Sequence, residues 1–161
     1  MQATGLGAVS LYKPALPQLG EPFLLIPLDS LSCAIPLSHV LEVLRPLPVE
    51  RLPGAPDIVS GVAVIRGEPT PVVPLRRLLG ADPAPPSRFV VLRADRRRVA
   101  LAVDGVAGIE RIPAEALNAS PPLVSRALAE ALEAVAFLDG ALLLVLRAAR
   151  LVPETVSGGP A

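Results

Sequence analysis

Reactive side chains are scarce in this sequence. Among 161 residues there is no tryptophan, and histidine, cysteine and tyrosine occur once each, as His39, Cys33 and Tyr12. A single lysine, Lys13, follows Tyr12 near the start. A metal site needs three or four clustered His, Cys or carboxylate ligands, and none is evident. No nucleophile–base pair can be argued, because His39 follows Ser38 and neighbours on an extended segment point to opposite faces. Gly105 and Gly108 lack the surrounding pattern of a phosphate-binding loop and read as turn or close-packing positions. A hydrolase would have to depend on His39, which reads as a partly exposed structural residue. No catalytic residue, metal or cofactor is expected, and the chain is read as a non-enzyme.

Other absences narrow the class further. Cys33 has no second cysteine to pair with, and it reads as a buried, inert thiol in a reducing compartment. Fifteen basic and fifteen acidic residues leave a formal net charge of zero, without the electrostatic footprint of a nucleic-acid binder. Arg96-Arg97-Arg98 lies between two apolar runs and reads as a solvated hairpin turn, with no interleaved aromatic to stack on bases. The richest apolar run, Ala134 to Leu146, is broken by Asp139 and Gly140 and falls short of the ~20 residues that span a bilayer. The first fifteen residues have no basic cluster followed by an apolar stretch, so no secretory signal is expected. These readings together place the protein in the cytoplasm, without direct membrane insertion.

What is abundant is aliphatic. Hydrophobic residues make up 52% of the chain and aromatics 2%, so Val, Leu, Ile and Ala must fill the core. They also recur in register. A shift of 66 positions lays Phe23-Leu24-Leu25-Ile26 on Phe89-Val90-Val91-Leu92 and Asp29 on Asp95, and it carries Ala34, Ile35, Leu37 and Val40 onto Ala100, Leu101, Val103 and Val106. After a seven-residue insertion the shift becomes 73, and Val62-Ala63, Gly67, Val72 and Arg77 meet Val135-Ala136, Gly140, Val145 and Arg150. Two copies imply a pair of similar units rather than a solenoid. Each, at roughly 60 residues, buries too little surface to be stable alone, so the units must share a core.

The organisation follows from this duplication. Residues 1–20 read as a flexible lead-in, 21–152 as one domain, and 153–161 as a flexible tail. Within the domain, one repeat spans about 21–80 and the other about 88–152, joined by a Pro- and Ala-rich linker at 81–87. Short apolar runs separated by turn residues predict five strands per repeat: Phe23–Leu28, Ser32–Leu37, Val40–Leu44, Val59–Ile65 and Pro71–Leu75, then Phe89–Arg93, Val99–Val103, Val106–Ile112, Val135–Leu138 and Ala141–Leu146. That density suggests an all-β protein of small closed barrels. Pro27, Pro36, Pro71 and Pro74 lie inside apparent strands and should mark edges, strand starts or bulges, since proline cannot donate to a ladder. In Val99–Val103 the large residues fall on one face and Ala100 and Ala102 on the other, which suits a tight barrel interior or a close neighbouring sheet. Single helical turns are predicted at Arg76–Leu79 and Ala148–Val152. A longer helix is predicted in and around the insertion, capped by Ser125, with Leu128, Leu132 and Val135 on one face.

Two charges stand out as recognition candidates. Arg66 ends a buried strand just before Gly67, whose freedom at positive φ suits a tight hairpin. A guanidinium at a rigid turn loses little entropy on docking a carboxylate partner. In the second repeat this position is Asp139, so the turn does not demand arginine; an arginine kept for solubility is the competing reading. Glu42 is a lone charge in an apolar stretch, read either as a contact residue or as a solvent-facing strand residue.

Several segments together resemble the CheW family of chemotaxis coupling proteins. They are Ile35-Pro36-Leu37-Ser38-His39-Val40-Leu41-Glu42-Val43, Leu52-Pro53-Gly54-Ala55-Pro56, Gly61-Val62-Ala63-Val64-Ile65-Arg66-Gly67, Pro71–Arg76, Leu101–Val106 and Leu138-Asp139-Gly140. The similarity runs in order from about residue 21 to 152. It implies two five-stranded SH3-like barrels, formed by internal duplication and packed on a shared apolar core with a few short helices. It further implies a non-enzymatic adaptor between the regulatory domain of a CheA-type histidine kinase and the cytoplasmic tip of a methyl-accepting chemoreceptor, working at membrane-associated receptor arrays. The receptor-contact positions of the family match Val40, Glu42, Gly61 and Arg66; Gly67, Gly140 and Asp104 match turn or structural positions. The sequence departs from the family at Val64, where Asn is usual, at Pro74, where Asp is usual, and at Ala134, where Gly is usual. A competing expectation is a small-ligand-binding barrel protein with an apolar pocket between the repeats, against which the scarcity of aromatics argues.

Overall fold

The computed structural model describes residues 20–118 and 126–151. The predicted lead-in, the tail and the capping role of Ser125 fall outside these residues, apart from Gly20. The first repeat supplies β1 (Glu21–Leu28), β2 (Leu31–Pro36), β3 (Val40–Leu44), β4 (Gly61–Ile65) and β5 (Glu68–Pro74), then a single turn of helix, α1 (Leu75–Leu78). The second supplies β6 (Arg88–Ala94), β7 (Arg97–Val103), β8 (Gly108–Ile112), a two-residue β9 (Leu117–Asn118), α2 (Arg126–Ala131), β10 (Leu132–Leu138) and β11 (Ala141–Leu146).

Neither repeat forms a sheet by itself. One sheet runs β9-β10-β11-β2-β1-β8 and the other β3-β6-β7-β5-β4. The opening hairpin of each repeat is therefore inserted into the sheet of the other. The two sheets match residue for residue: Val145 stands beside Ala34 in one parallel pairing, and Val72 beside Ala100 in its counterpart. The duplication seen in the sequence is thus a pseudo-twofold relation in which each half completes its partner.

This exchange explains why Phe23–Ile26 and Phe89–Leu92 are uninterrupted apolar runs, since strands covered on both faces do not alternate with polar residues. Leu24, Ile26, Cys33, Ile35, Val90, Leu92, Val99 and Leu101 turn outward from their sheets into one shared cluster. Phe89, Val91, Ala100 and Ala102 face the interior of the five-stranded sheet, and Phe23, Ala34, Ala136 and Val145 that of the six-stranded one. The small alanines are the interior face, as expected of narrow SH3-like barrels. The seam between sheets, where the competing reading required a ligand pocket, is occupied by the shared cluster.

The strand prolines sit where a missing N–H does least harm. β1 is paired on both sides over Phe23–Leu25, while Pro22 faces only Arg111 and Pro27 only Ser32. Pro71 opposes Val62 before pairing with β7 begins, and Pro74 opposes Ala102 after pairing with β4 has ended. The predicted helix in the insertion is shorter than its periodicity suggested. Leu132 and Val135 belong to β10, whose hairpin with β11 pairs Leu132 with Leu146 and Val135 with Leu144. Long-range pairing overrides the local helical spacing there. Of the three consecutive arginines, Arg97 and Arg98 lie in β7 rather than in the turn, and Arg98 Nη1 donates to Glu68 Oε1 at 2.9 Å.

Candidate functional site

Among the described residues four two-residue turns join hairpins, and each begins with a non-glycine residue at positive φ: Asp29, Arg66, Asp95 and Asp139, at 52°, 53°, 58° and 53°. Aspartate tolerates this left-handed region comparatively well, because its short side chain bonds locally. Arginine has no such compensation, so Arg66 is the outlier of the four. Gly67 and Gly140 follow at φ 78°, which gives both turns the pair of positive φ values that the primed hairpin turn needs.

Arg66 meets a carboxylate of its own chain. Its Nε donates to Glu42 Oε2 at 3.1 Å and its Nη2 to Glu42 Oε1 at 2.7 Å. β3, which carries Glu42, and β4, which leads into Arg66, are the opposite edges of the five-stranded sheet. The two-point bond therefore closes that sheet on itself, aided by the bridge between Glu50 and Val62. The hydrogen bond from Arg66, with its charge and that of Arg98, holds the Glu42 carboxyl below its ordinary range against a smaller opposing effect of desolvation. Glu42 in turn raises the Arg66 guanidinium. The positions equivalent to this pair in the second repeat are Gly108 and Asp139, which form no such bond, so the scaffold does not require it.

The remaining receptor-contact candidates have different standing. Val40 is half-buried and packs on the shared core; a register shift between Val40 and Glu42 follows it. Gly61 is buried at φ 155°, and a Cβ there would overlap the Glu50 carbonyl and come within 2.7 Å of Val49 Cγ1. Its glycine is thus dictated by the close approach of segment 49–50. Asp104 closes β7 and accepts Arg76 Nε and Nη2, at 3.1 and 2.7 Å. The same guanidinium reaches Asp29 Oδ1 at 3.1 Å and the Asp82 carbonyl at 3.0 Å, so Arg76 clamps both sheets and the linker. Asp104 raises the Arg76 guanidinium most, and Asp29 adds to this.

Uncovered apolar side chains flank the Glu42–Arg66 pair on the strands it joins: Leu41, Val43 and Val64, the last 65% exposed. The departure at Val64 thus adds an aliphatic group to this surface. A second face was not singled out from sequence. Ile109 on β8 and Phe137 on β10, 57% and 64% exposed, occupy the positions equivalent to Val43 and Val64. Strand alternation hid Phe137 within an apolar run, though the duplication could have flagged it as the counterpart of Val64. Burial pushes the Cys33 thiol up to about 12. Among the described residues no group of His, Cys, Asp and Glu is arranged to hold a metal, and no helix is long and apolar enough to cross a membrane.

The fold and this surface define a class: a duplicated, strand-exchanged pair of SH3-like barrels, each with exposed apolar side chains on its outer strands. Residues 22–156 match the model of the CheW-like domain, and the chain belongs to that family. It is 33% identical over 123 residues to Protein FrzA of Myxococcus xanthus, covering 74% of this chain and 76% of that protein. It is 30% identical over 120 residues to Chemotaxis protein CheW of Klebsiella aerogenes, covering 73% and 71%. The fold is shared with the scaffolding protein TtCheW of Thermoanaerobacter tengcongensis, with a TM-score of 0.70 at 19% identity, over 80% of this chain and 85% of that one.

Proposed function

We propose that this protein is a non-enzymatic adaptor of chemotaxis-type signalling, which couples the cytoplasmic tip of a methyl-accepting chemoreceptor to the regulatory domain of a CheA-type histidine kinase. The observation that carries the receptor assignment is the Glu42–Arg66 pair. It is absent from the equivalent place in the second repeat, it holds an arginine at an unfavourable φ, and it is flanked by exposed Leu41, Val43 and Val64. Backbone strain retained at one site of a duplicated scaffold favours recognition as its reason. Receptor contact is assigned to Val40, Glu42, Gly61 and Arg66, with Gly61 acting through the position of segment 49–50. The kinase regulatory domain is assigned to the equivalent face on the other barrel, around Ile109 and Phe137, where a large aromatic stands in water and suits a hot-spot contact. Work at receptor arrays on the cytoplasmic side of the membrane follows from these partners.

Binding measurements with the two partners test this separately. Arg66→Ala is expected to weaken a micromolar receptor complex about tenfold while leaving kinase binding intact. Phe137→Ser is expected to do the reverse. Unchanged receptor binding and signalling in both Glu42→Ala and Arg66→Ala would remove the receptor assignment.

A further inference from the structure

The two barrels differ at their mouths. Glu50 pairs with Val62 in one, and Asn118 with Val135 in the other, so the preceding residues, Val49 and Leu117, are equivalent. Leu117 packs against the interior cluster of the six-stranded barrel. Val49 is 38% exposed and instead lines a cavity of about 380 Å³ with Leu47, Val72, Pro86, Phe89 and Ala102. That size falls within the range of small-molecule sites, roughly 300–1,000 Å³, and the walls are mainly apolar, with Ser60, Arg76, Arg77 and Asp104 as the polar lining residues.

The polar groups around this mouth are unequally occupied. Arg76 is committed to Asp104, Asp29 and the Asp82 carbonyl. The Ser60 hydroxyl donates to the Val72 carbonyl. Arg77 also lines the cavity, and among the described residues its guanidinium donates through Nη1 to one acceptor, the Asp57 carbonyl, at 2.8 Å. Beyond it lies an adjoining hollow of about 640 Å³ that carries Arg51 and Asp57. An apolar recess thus ends at a cation with donors to spare.

We propose that this mouth binds a medium-chain aliphatic carboxylate, with the acyl chain in the recess and the carboxylate on Arg77. The site lies at one barrel end, beside segment 49–50 and Gly61 and on the opposite barrel from Ile109 and Phe137, and it does not rest on the adaptor reading. Titration of the full chain with butyrate, octanoate, decanoate and decanol, followed by amide NMR, tests it. Saturable shifts are expected at Ser60, Val72 and Ala102. Affinity should rise about fourfold for each methylene added between octanoate and decanoate, the equivalent of ~0.8 kcal/mol per buried methylene. Decanoate should bind about tenfold tighter than decanol, and Arg77→Gln should erase that preference. Val49→Trp should fill the recess and abolish binding, with Leu47→Trp as the alternative if circular dichroism shows the first variant misfolded. Affinity independent of chain length, shifts centred on Ile109 and Phe137, or an unchanged decanoate preference in Arg77→Gln would each overturn the assignment.

Discussion

Glu42 and Arg66 belong to opposite edges of one five-stranded sheet, yet they share two hydrogen bonds of 2.7 and 3.1 Å. The pair therefore has two separable consequences: it closes a barrel, and it fixes a guanidinium at an exposed turn. Exchanging the two residues, Glu42→Arg with Arg66→Glu, keeps the first and inverts the second. The double variant is expected to retain the wild-type melting temperature within a few degrees and to lose receptor binding. A swap that preserved receptor binding would reduce the pair to a structural clip.

The same pair predicts a titration. The Glu42 carboxyl is held below its ordinary value near 4.5, chiefly by the hydrogen bond from Arg66. A carboxyl lowered in the folded state contributes stability above its unfolded value and loses it as pH falls through the folded value. The bridge should thus be intact at neutral pH and open only on acidification below the usual glutamate range. Carboxyl-carbon NMR should show a depressed midpoint for Glu42 that returns to the ordinary value in Arg66→Ala. A midpoint already ordinary in the wild type would contradict the bond.

Gly61→Ala should destabilise the protein by displacing segment 49–50. The new methyl meets the Glu50 backbone carbonyl and Val49, at a φ that side chains rarely adopt. Overpacking of this kind costs about 1–3 kcal/mol, readable as a lowered urea midpoint. Receptor binding lost at unchanged stability would instead make Gly61 a direct contact.

How much of this was legible in the sequence depends on range. Phe23–Ile26 and Phe89–Leu92 declared the duplication, Ala100 and Ala102 the narrow interior, and Pro27 and Pro71 the singly paired stretches. All of these are periodic or local features of one segment. The hairpin exchange was not legible, because β1 and β2 satisfy the same apolar pattern whichever sheet receives them. Nor was the bond between Glu42 and Arg66, separated by 24 residues and joined only once the sheet closes. Leu132 reads as helical, and Val135 as both helical and the first residue of a strand, because a spacing of three fits a helix face; in the structure a β-bulge between Leu132 and Ala134 brings both onto the shared core from within β10. Pro74, where the family usually has Asp, proves to be the N-cap of α1 and makes no side-chain cap bond.

Cys33 should be chemically silent in the native protein. It is fully buried within the shared core, and burial pushes its thiol up to about 12, so almost no thiolate exists near neutrality, and the thiolate is the reactive form. Ellman's reagent should label it only at the rate of global unfolding, and at once in denaturant. Rapid labelling under native conditions would show that the seam between the sheets opens.

The exchanged hairpins lead to a prediction about folding. If β1–β2 completes the second repeat's sheet and β6–β7 completes the first's, neither repeat can satisfy its edge strands alone. Cutting the linker, to give residues 1–80 and 81–161, removes from each fragment the pair of strands that stands inside its own sheet. Each fragment also loses the opposite wall of the shared core, and a unit of roughly 60 ordered residues has too little other burial to compensate. The separate fragments should therefore lack cooperative β-sheet unfolding by circular dichroism. Mixed in equal amounts, they should form a one-to-one complex with the spectrum of the intact chain. Cooperative unfolding of either fragment on its own would mean that a repeat can pair its hairpin internally, and that the exchange is a consequence of linkage rather than the condition for folding.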